Sequence, residues 1–273
     1  MDATGGPGLD EAMIGLLHPG DMGSMVGARL REAGHPVGWA SDGRSPATKE
    51  RAEEGGLADL GTVADLVAAS DVVLSICPPH AALDVARQVA TGGYDGVFVD
   101  ANAVAPTTAR GIGDVVTAAG ATYVDGGIVG SPPVEADTTR LYLSGPHADA
   151  VAALFADTVV EAVVVDDRIG SASAVKMTYA AWTKGTQAML LAIDAVARHE
   201  GVDAVLRREW ARSLPDLDER VTRATAAADR KGWRWVGEME EIAKTFGAAG
   251  APSGFHEAAA EVYRRGSHTD NDD

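Results

Sequence analysis

From residue 12 to about residue 166, short apolar runs ending in turn residues alternate with longer stretches of helical character. This pattern predicts a parallel sheet flanked by helices, because parallel neighbours must be joined by crossovers. Residues 12–17 read as the first strand, 20–33 as a helix stopped by Gly34, and 36–40 as the second strand. Residues 62–69 then lead as a helix into 72–76 (VVLSI), an uninterrupted apolar run of the kind buried on both faces of such a sheet. Runs 97–99 and 122–124 repeat that role, while 140–144 and 162–165 extend the sheet around a helix over 148–157. After Gly170 the pattern changes. Residues 171–200 hold no Pro and one Gly, Gly185, and are rich in Ala, Met, Leu and Lys, which predicts one long helix. Further helices follow, punctuated by Gly201, Pro215, Gly232, Gly247, Gly250 and Pro252, with no strand alternation. The expected organisation is a sheet domain over 11–168 and a helical domain over 169–266. The Gly-rich and polar ends, 1–10 and 267–273, are expected to be disordered tails.

The connection between the first strand and its helix is His18-Pro19-Gly20-Asp21-Met22-Gly23. A glycine-rich turn opening a helix lets the backbone approach a pyrophosphate, which then meets free N–H groups and the positive end of the helix dipole. Gly20 and Gly23 occupy the second and third glycine places of the dinucleotide fingerprint, and His18 occupies the first. The architecture this implies is α/β: an N-terminal Rossmann-type dinucleotide-binding domain and an all-helical C-terminal domain, joined by a long interdomain helix. The second strand ends in Ala40-Ser41-Asp42-Gly43-Arg44-Ser45-Pro46, where the fold meets the adenosine ribose. Asp42 suits the free 2′-hydroxyl of NAD. Ser41, Arg44 and Ser45 suit a 2′-phosphate, since guanidinium pairs with phosphate in bidentate geometry, and favour NADP with NAD as the alternative.

Lys and Arg total 23 against 40 Asp and Glu, a formal charge of −17, which opposes nucleic acid and anionic membrane surfaces. The N-terminus lacks a signal-peptide pattern and no apolar run reaches the ~18 residues of a membrane span, so a soluble, cytoplasmic protein is expected. Cys77 is the only cysteine and lies in an apolar run, which reads as a small core residue. No cysteine cluster or HExxH spacing predicts a metal, and no GxSxG elbow predicts a hydrolase.

Through LLHPGDMG, ASDGRSPAT, DANAVAPTTA and above all SASAVKMTYAAWTKG, the chain resembles the 3-hydroxyacid dehydrogenase superfamily over almost its whole length. That superfamily includes 6-phosphogluconate and 3-hydroxyisobutyrate dehydrogenases and the imine reductases, and the nearest branch is phosphogluconate-dehydrogenase-like. The family's GxGxxxKxxxN motif matches at Gly170 to Lys176, with Ala172 replacing the second glycine, so the resemblance implies Lys176 as the catalytic proton donor and acceptor. The Asn expected four residues later is Ala180; helical spacing offers Thr183 and Tyr179 as substitutes. The substrate-binding DxPVSGG pattern corresponds to Asp125 through Ser131, with Val129 in place of the carboxylate-gripping Ser, followed by Gly130 and Ser131. Asn102, in the DxST segment, is expected to offer its amide to the nicotinamide or substrate; Cys77 and Pro78 join the cofactor set, and Lys231 retains the Lys of the family's KDL.

A nicotinamide dehydrogenase needs a group that exchanges a proton with the substrate oxygen, and partial burial suits a Lys to that task. The expected activity is therefore an NADP-dependent interconversion of alcohol and carbonyl in a small polar, carboxylate-bearing molecule. Imine reduction on the same scaffold is the alternative, although imine reductases usually carry Asp or Tyr where this chain has Lys176. A non-catalytic NADP-binding regulator is the third reading. His256, at a helix start, reads as structural or as reaching a neighbouring subunit's site. The apolar stripe of the long Ala-rich helix predicts a homodimer.

Overall fold

The computed structural model describes Leu9 and residues 11–266; the expected tails otherwise lie outside the described residues. In the first part of the chain, β1 (Ile14–Leu17), α1 (Asp21–Glu32), β2 (Val37–Trp39), α2 (Pro46–Glu54) and β3 (Ala58–Asp59) are followed by α3 (Val63–Ala69) and β4 (Val72–Ser75). Then come α4 (Ala82–Thr91), β5 (Val97–Asp100), α5 (Pro106–Ala118), β6 (Thr122–Gly130), β7 (Thr139–Ser144), α6 (Ala148–Ala153) and β8 (Val160–Asp166). The strands form one sheet in the order β3-β2-β1-β4-β5-β6-β7-β8. Neighbours from β3 to β6 are parallel, β7 runs antiparallel to β6, and β8 is parallel to β7. The chain order reverses between β1 and β4, the switch point outside which a doubly wound sheet binds its ligand.

Both faces of the sheet are buried. Leu16, Val72 and Leu74 point into a core shared with Val26 and Leu30 of α1 and Val151 of α6. Leu17, Val73 and Phe98 point the other way, into a core with Leu66, Val85, Ile112 and Val116 from α3, α4 and α5. Burial on two faces is why these strands read as continuous apolar runs.

Helices α2, α4 and α5 had no place in the apolar pattern. In α2 only Ala52 is buried, and its signal lies instead in the N-cap Ser45 followed by Pro46. Strand β6 continues to Gly130 instead of ending near residue 124. A Cβ on Gly127 would sit 2.8 Å from Lys176 Cβ and one on Gly126 3.0 Å from the Asp100 carbonyl oxygen. Both mark close backbone approach within an intact strand.

Helix α7 (Ser171–His199) is the long helix, followed by α8 (Asp203–Ser213), α9 (Leu217–Ala248) and α10 (Gly254–Gly266). The compact units are 1–176 and 177–273, so the division falls inside α7 and eight residues beyond the expected 168/169 boundary. In the second unit α10 packs on α9 through an edge-to-face pair of Tyr263 and Trp235, with centroids 5.2 Å apart, while the Tyr263 hydroxyl donates to the Lys184 carbonyl at 2.7 Å. Arg207 of α8 ties α7 to α9 through Asp194, at 2.7 Å, and Asp218. Among the described residues no helix is long and apolar enough to cross a membrane.

Candidate functional site

At the end of β1, His18 has φ +63°, in the left-handed region that a first glycine would occupy without strain. The Gly20 N–H donates back to the His18 carbonyl at 2.7 Å, tightening the turn. Gly20 is then the N-cap of α1, in extended conformation and with no side-chain cap. A Cβ placed on it meets nothing within 4 Å among the described residues, whereas one on Gly23 would sit 2.9 Å from the His18 carbonyl oxygen. Gly20 thus faces open space beside an uncapped helix N-terminus, and Gly23 lets α1 pack against the turn. These are the roles the dinucleotide fingerprint gives its second and third glycines.

Arg51 of α2, unremarkable in the sequence, supports this turn. Its Nε donates to the Pro19 carbonyl at 3.4 Å, Nη2 donates to Thr48 Oγ1 at 3.3 Å, and Nη1 lies 3.8 Å from an Asp21 carboxylate oxygen. Asp21 is the first residue of α1, and Met22 packs against the core below.

At the adenosine end, Gly43 takes φ +68° and partly buried Arg44 follows it. Arg44 Nε and His18 Nδ1 are both buried without a hydrogen-bond partner among the described residues. Burial lowers the pKa of His18 to about 4, with the Arg44 charge acting in the same direction, and burial also pulls Arg44 below its ordinary value. The other two expected phosphate ligands are engaged elsewhere. Ser45 Oγ accepts the Thr48 N–H at 3.3 Å as the cap of α2, and the Ser41 side chain hydrogen-bonds the Asp59 carboxylate. Open space at Gly20, the uncapped helix end and two orphaned polar atoms fit a dinucleotide's phosphates and ribose.

Asn102 departs from its expected role. Its Oδ1 accepts the Cys77 N–H at 2.5 Å, and its Nδ2 donates to Ser75 Oγ at 3.1 Å and to Asp100 Oδ1 at 2.5 Å. Both amide hydrogens and one oxygen lone pair are thus engaged within the buried network, which leaves no amide N–H for a nicotinamide or substrate. It instead fixes the segment after β4, where Cys77 and Pro78 lie, against the end of β5. The Cys77 thiol is pushed up to about 12, chiefly by burial, which makes it a poor nucleophile.

Lys176 sits in the second turn of α7 and donates from Nζ to the Ile128 carbonyl at 2.6 Å. The helix start is gripped from the sheet. Asp125 Oδ2 accepts the N–H groups of Gly170 and Ser173, each at 3.0 Å, and the Ser144 hydroxyl at 2.9 Å. Its Oδ1 accepts the Ser173 hydroxyl at 2.6 Å, and Ser144 Oγ accepts the Ala172 N–H at 3.0 Å. Lysine, helix end and the bare backbone of Gly127 are thereby locked together.

The remaining expected residues divide. Val129 is 2% exposed, so its side chain is packed away and cannot replace the carboxylate-gripping Ser. Gly130, at φ +122°, and exposed Ser131 follow at the end of β6. Further along α7, Ala180 is fully buried and Tyr179 half exposed, while the Thr183 hydroxyl bonds back to the Tyr179 carbonyl at 3.4 Å and does not replace the missing Asn. Lys231 lies exposed on α9. His256 is buried with its ring 4.2 Å from that of Phe246, and its Nδ1 has no hydrogen-bond partner among the described residues.

A doubly wound sheet with an open glycine turn at its switch point defines a Rossmann-type dinucleotide-binding protein. The chain belongs to the 6-phosphogluconate dehydrogenase-like superfamily: the family described as the NAD binding domain of 6-phosphogluconate dehydrogenase matches residues 11–162. A domain of unknown function (DUF1932) matches residues 197–266. An uncharacterized 28.5 kDa protein of Methanothermus fervidus is 33% identical over 161 residues, a match that spans 59% of this chain and 61% of that relative's length. The conserved protein MTH1747, described as structurally similar to 3-hydroxyacid dehydrogenases, is 25% identical over 93% of this chain and 96% of its own, with a TM-score of 0.67. The 3-hydroxyisobutyrate dehydrogenase of Mycobacterium tuberculosis, solved with L-serine, shares the fold at a TM-score of 0.70, with 18% identity over 93% of each chain.

Proposed function

We propose that the protein is an NADP-dependent oxidoreductase that interconverts an alcohol and a carbonyl in a small polar, carboxylate-bearing substrate, with Lys176 as general acid and base. The observation that carries this reading is the placement of the Lys176 ammonium, 2.6 Å from the Ile128 carbonyl oxygen on a helix start held by Asp125. A bound nicotinamide supplies or accepts the hydride at the carbonyl carbon. The protein's own part is to hold the proton that the substrate oxygen gains or loses, and Ile128 aims the lysine for it without neutralising it. Gly130 and Ser131, at the end of the same strand, are proposed to receive the carboxylate. The orphaned Arg44 Nε favours NADP over NAD without the help of Ser41 or Ser45. A reducing cytoplasm suits the single thiol, and a homodimer is the proposed assembly.

Lys176→Ala tests the mechanism. NADPH oxidation with a panel of keto acids is expected to fall by about 10²- to 10⁴-fold, the usual contribution of a positioned acid–base group, while dinucleotide binding persists. Undiminished turnover in the variant refutes the assignment of Lys176. Wild-type protein that binds NADPH yet turns over no carbonyl or imine supports the regulator instead. In thermal shift, NADP is expected to raise the melting temperature more than NAD at equal concentration, since a ligand bound only by the folded state stabilises it.

A further inference from the structure

His18 stands at the first position of a turn that glycine would occupy without strain, and its geometry gives the side chain work that glycine cannot do. The backbone is held at φ +63°, so the chain sustains an L residue in the left-handed region. The imidazole is turned inward, with Nδ1 buried and without a partner among the described residues. A second orphan, Arg44 Nε, belongs to a guanidinium near enough for its charge to act on the ring. Buried polar atoms without partners are uncommon and costly, and two of them occur on neighbouring side chains, one of them in the turn that opens at Gly20.

We propose that the His18 side chain is a ligand of the adenosine half of the dinucleotide, its Nδ1 hydrogen-bonding a ribose or pyrophosphate oxygen beside the Arg44 guanidinium. Burial and the neighbouring positive charge both disfavour protonation, so the ring is neutral at physiological pH and adds a directed hydrogen bond without adding charge. A neutral imidazole carries one N–H and one acceptor nitrogen, and Nδ1–H is the tautomer that meets an anionic oxygen. The inference deepens the dinucleotide reading above and rests on it.

The test separates backbone from side chain, because His18→Gly moves them in opposite directions. Without cofactor, the variant is expected to melt at the same temperature as the wild type or higher, since glycine relieves the left-handed strain. Its Kd for NADPH is expected to rise about five- to tenfold, the loss of one hydrogen bond, with an equal rise for 2′-phospho-ADP-ribose, which lacks the nicotinamide. His18→Asn tolerates the same φ and keeps a polar atom, so it is expected to fall between the two and provides a second folded variant. Unchanged affinity of His18→Gly for both probes makes the ring a filler and overturns the proposal. A loss confined to NADPH puts the contact at the nicotinamide and overturns it equally. Wild-type protein that binds neither NADP nor NAD refutes the dinucleotide reading itself, and the role of His18 falls with it; binding by wild type with no effect of His18→Gly refutes the role of His18 alone.

Discussion

Asp100 and Asp125 face each other as register partners on β5 and β6, both buried, and two adjacent carboxylates in such a setting resist ionising together. Burial, reinforced by Asp125, pushes Asp100 up to about 7, and burial raises Asp125 as well. Hydrogen bonds divide their roles. Asp125 accepts from two backbone N–H groups and two hydroxyls and is the member that must be the anion. Asp100 therefore carries the proton below about pH 7, while its Oδ2 accepts the Tyr123 hydroxyl at 3.3 Å. An unfolded carboxyl releases its proton near about pH 3.9, so between that pH and about 7 the folded state binds more protons and stability falls as pH rises. Asp100→Asn keeps the shape and removes the titration. Relative to the variant, the wild type is expected to lose about 1–3 kcal/mol between pH 5 and pH 7.5, read from urea midpoints at each pH. Parallel profiles for the two proteins refute the assignment.

At the scale of elements, α7 takes its N-terminal cap from the sheet. Asp125 of β6 and Ser144 of β7 receive the free N–H groups of Gly170, Ala172 and Ser173 that a local cap would otherwise satisfy. The positive end of the helix dipole helps keep Asp125 ionised. Asp125→Ala orphans the Gly170 and Ser173 N–H groups in a dry core and is expected to cost about 3 kcal/mol or more in urea unfolding. It should also lower turnover more than dinucleotide affinity, because it loosens the helix that aims Lys176 while leaving the turn at Gly20 intact. A destabilisation below about 1 kcal/mol contradicts this account. The same element shows what local sequence patterns can convey. The apolar runs of β1, β2, β4 and β5, the turn at Gly20 and Gly23, and the length of α7 are all local signals and were legible. The second half of β6 was hidden because Gly126 and Gly127 look like breaks until the approach of the Asp100 carbonyl and Lys176 is known. Asn102 read as a free amide because two of its partners, Ser75 and the Cys77 N–H, lie 27 and 25 residues back along the chain. Arg51 gave no signal, since the Pro19 carbonyl it supports is 32 residues away. The placement of the turn and of Lys176 was legible where a motif carried it, and the hydrogen-bond partners of the buried polar groups were hidden because tertiary contacts assign them.

For the whole molecule, the question is what covers the apolar side of the second unit. Trp182, Met189, Ile193 and Val196 recur along α7 at spacings that place them on one face, and Trp182 is 68% exposed, Met189 54% and Val196 62%. Beside them a groove of about 870 Å³ runs between α7 and α10, lined by Phe246, Phe255, His256 and Val262 and by no Asp, Glu, Lys or Arg. Soluble monomers seldom leave aromatic surface of that extent open. A second copy is the occupant we propose, because a stripe along one helix is self-complementary about a twofold axis. Charge points the same way: chains of −17 each repel over most of their surfaces and can approach where charge is lacking. Light scattering on a sizing column is therefore expected to give twice the 28.1 kDa chain mass, with the dimer tightening as salt screens the repulsion. Trp182→Glu should convert it to monomer while leaving NADPH bound, because the dinucleotide turn belongs entirely to the first unit. A wild-type mass of one chain at every concentration, or a dimer indifferent to a carboxylate at Trp182, rules this face out as the interface. Weakening of the dimer by salt would instead assign assembly to charged pairs between copies in place of the uncharged groove.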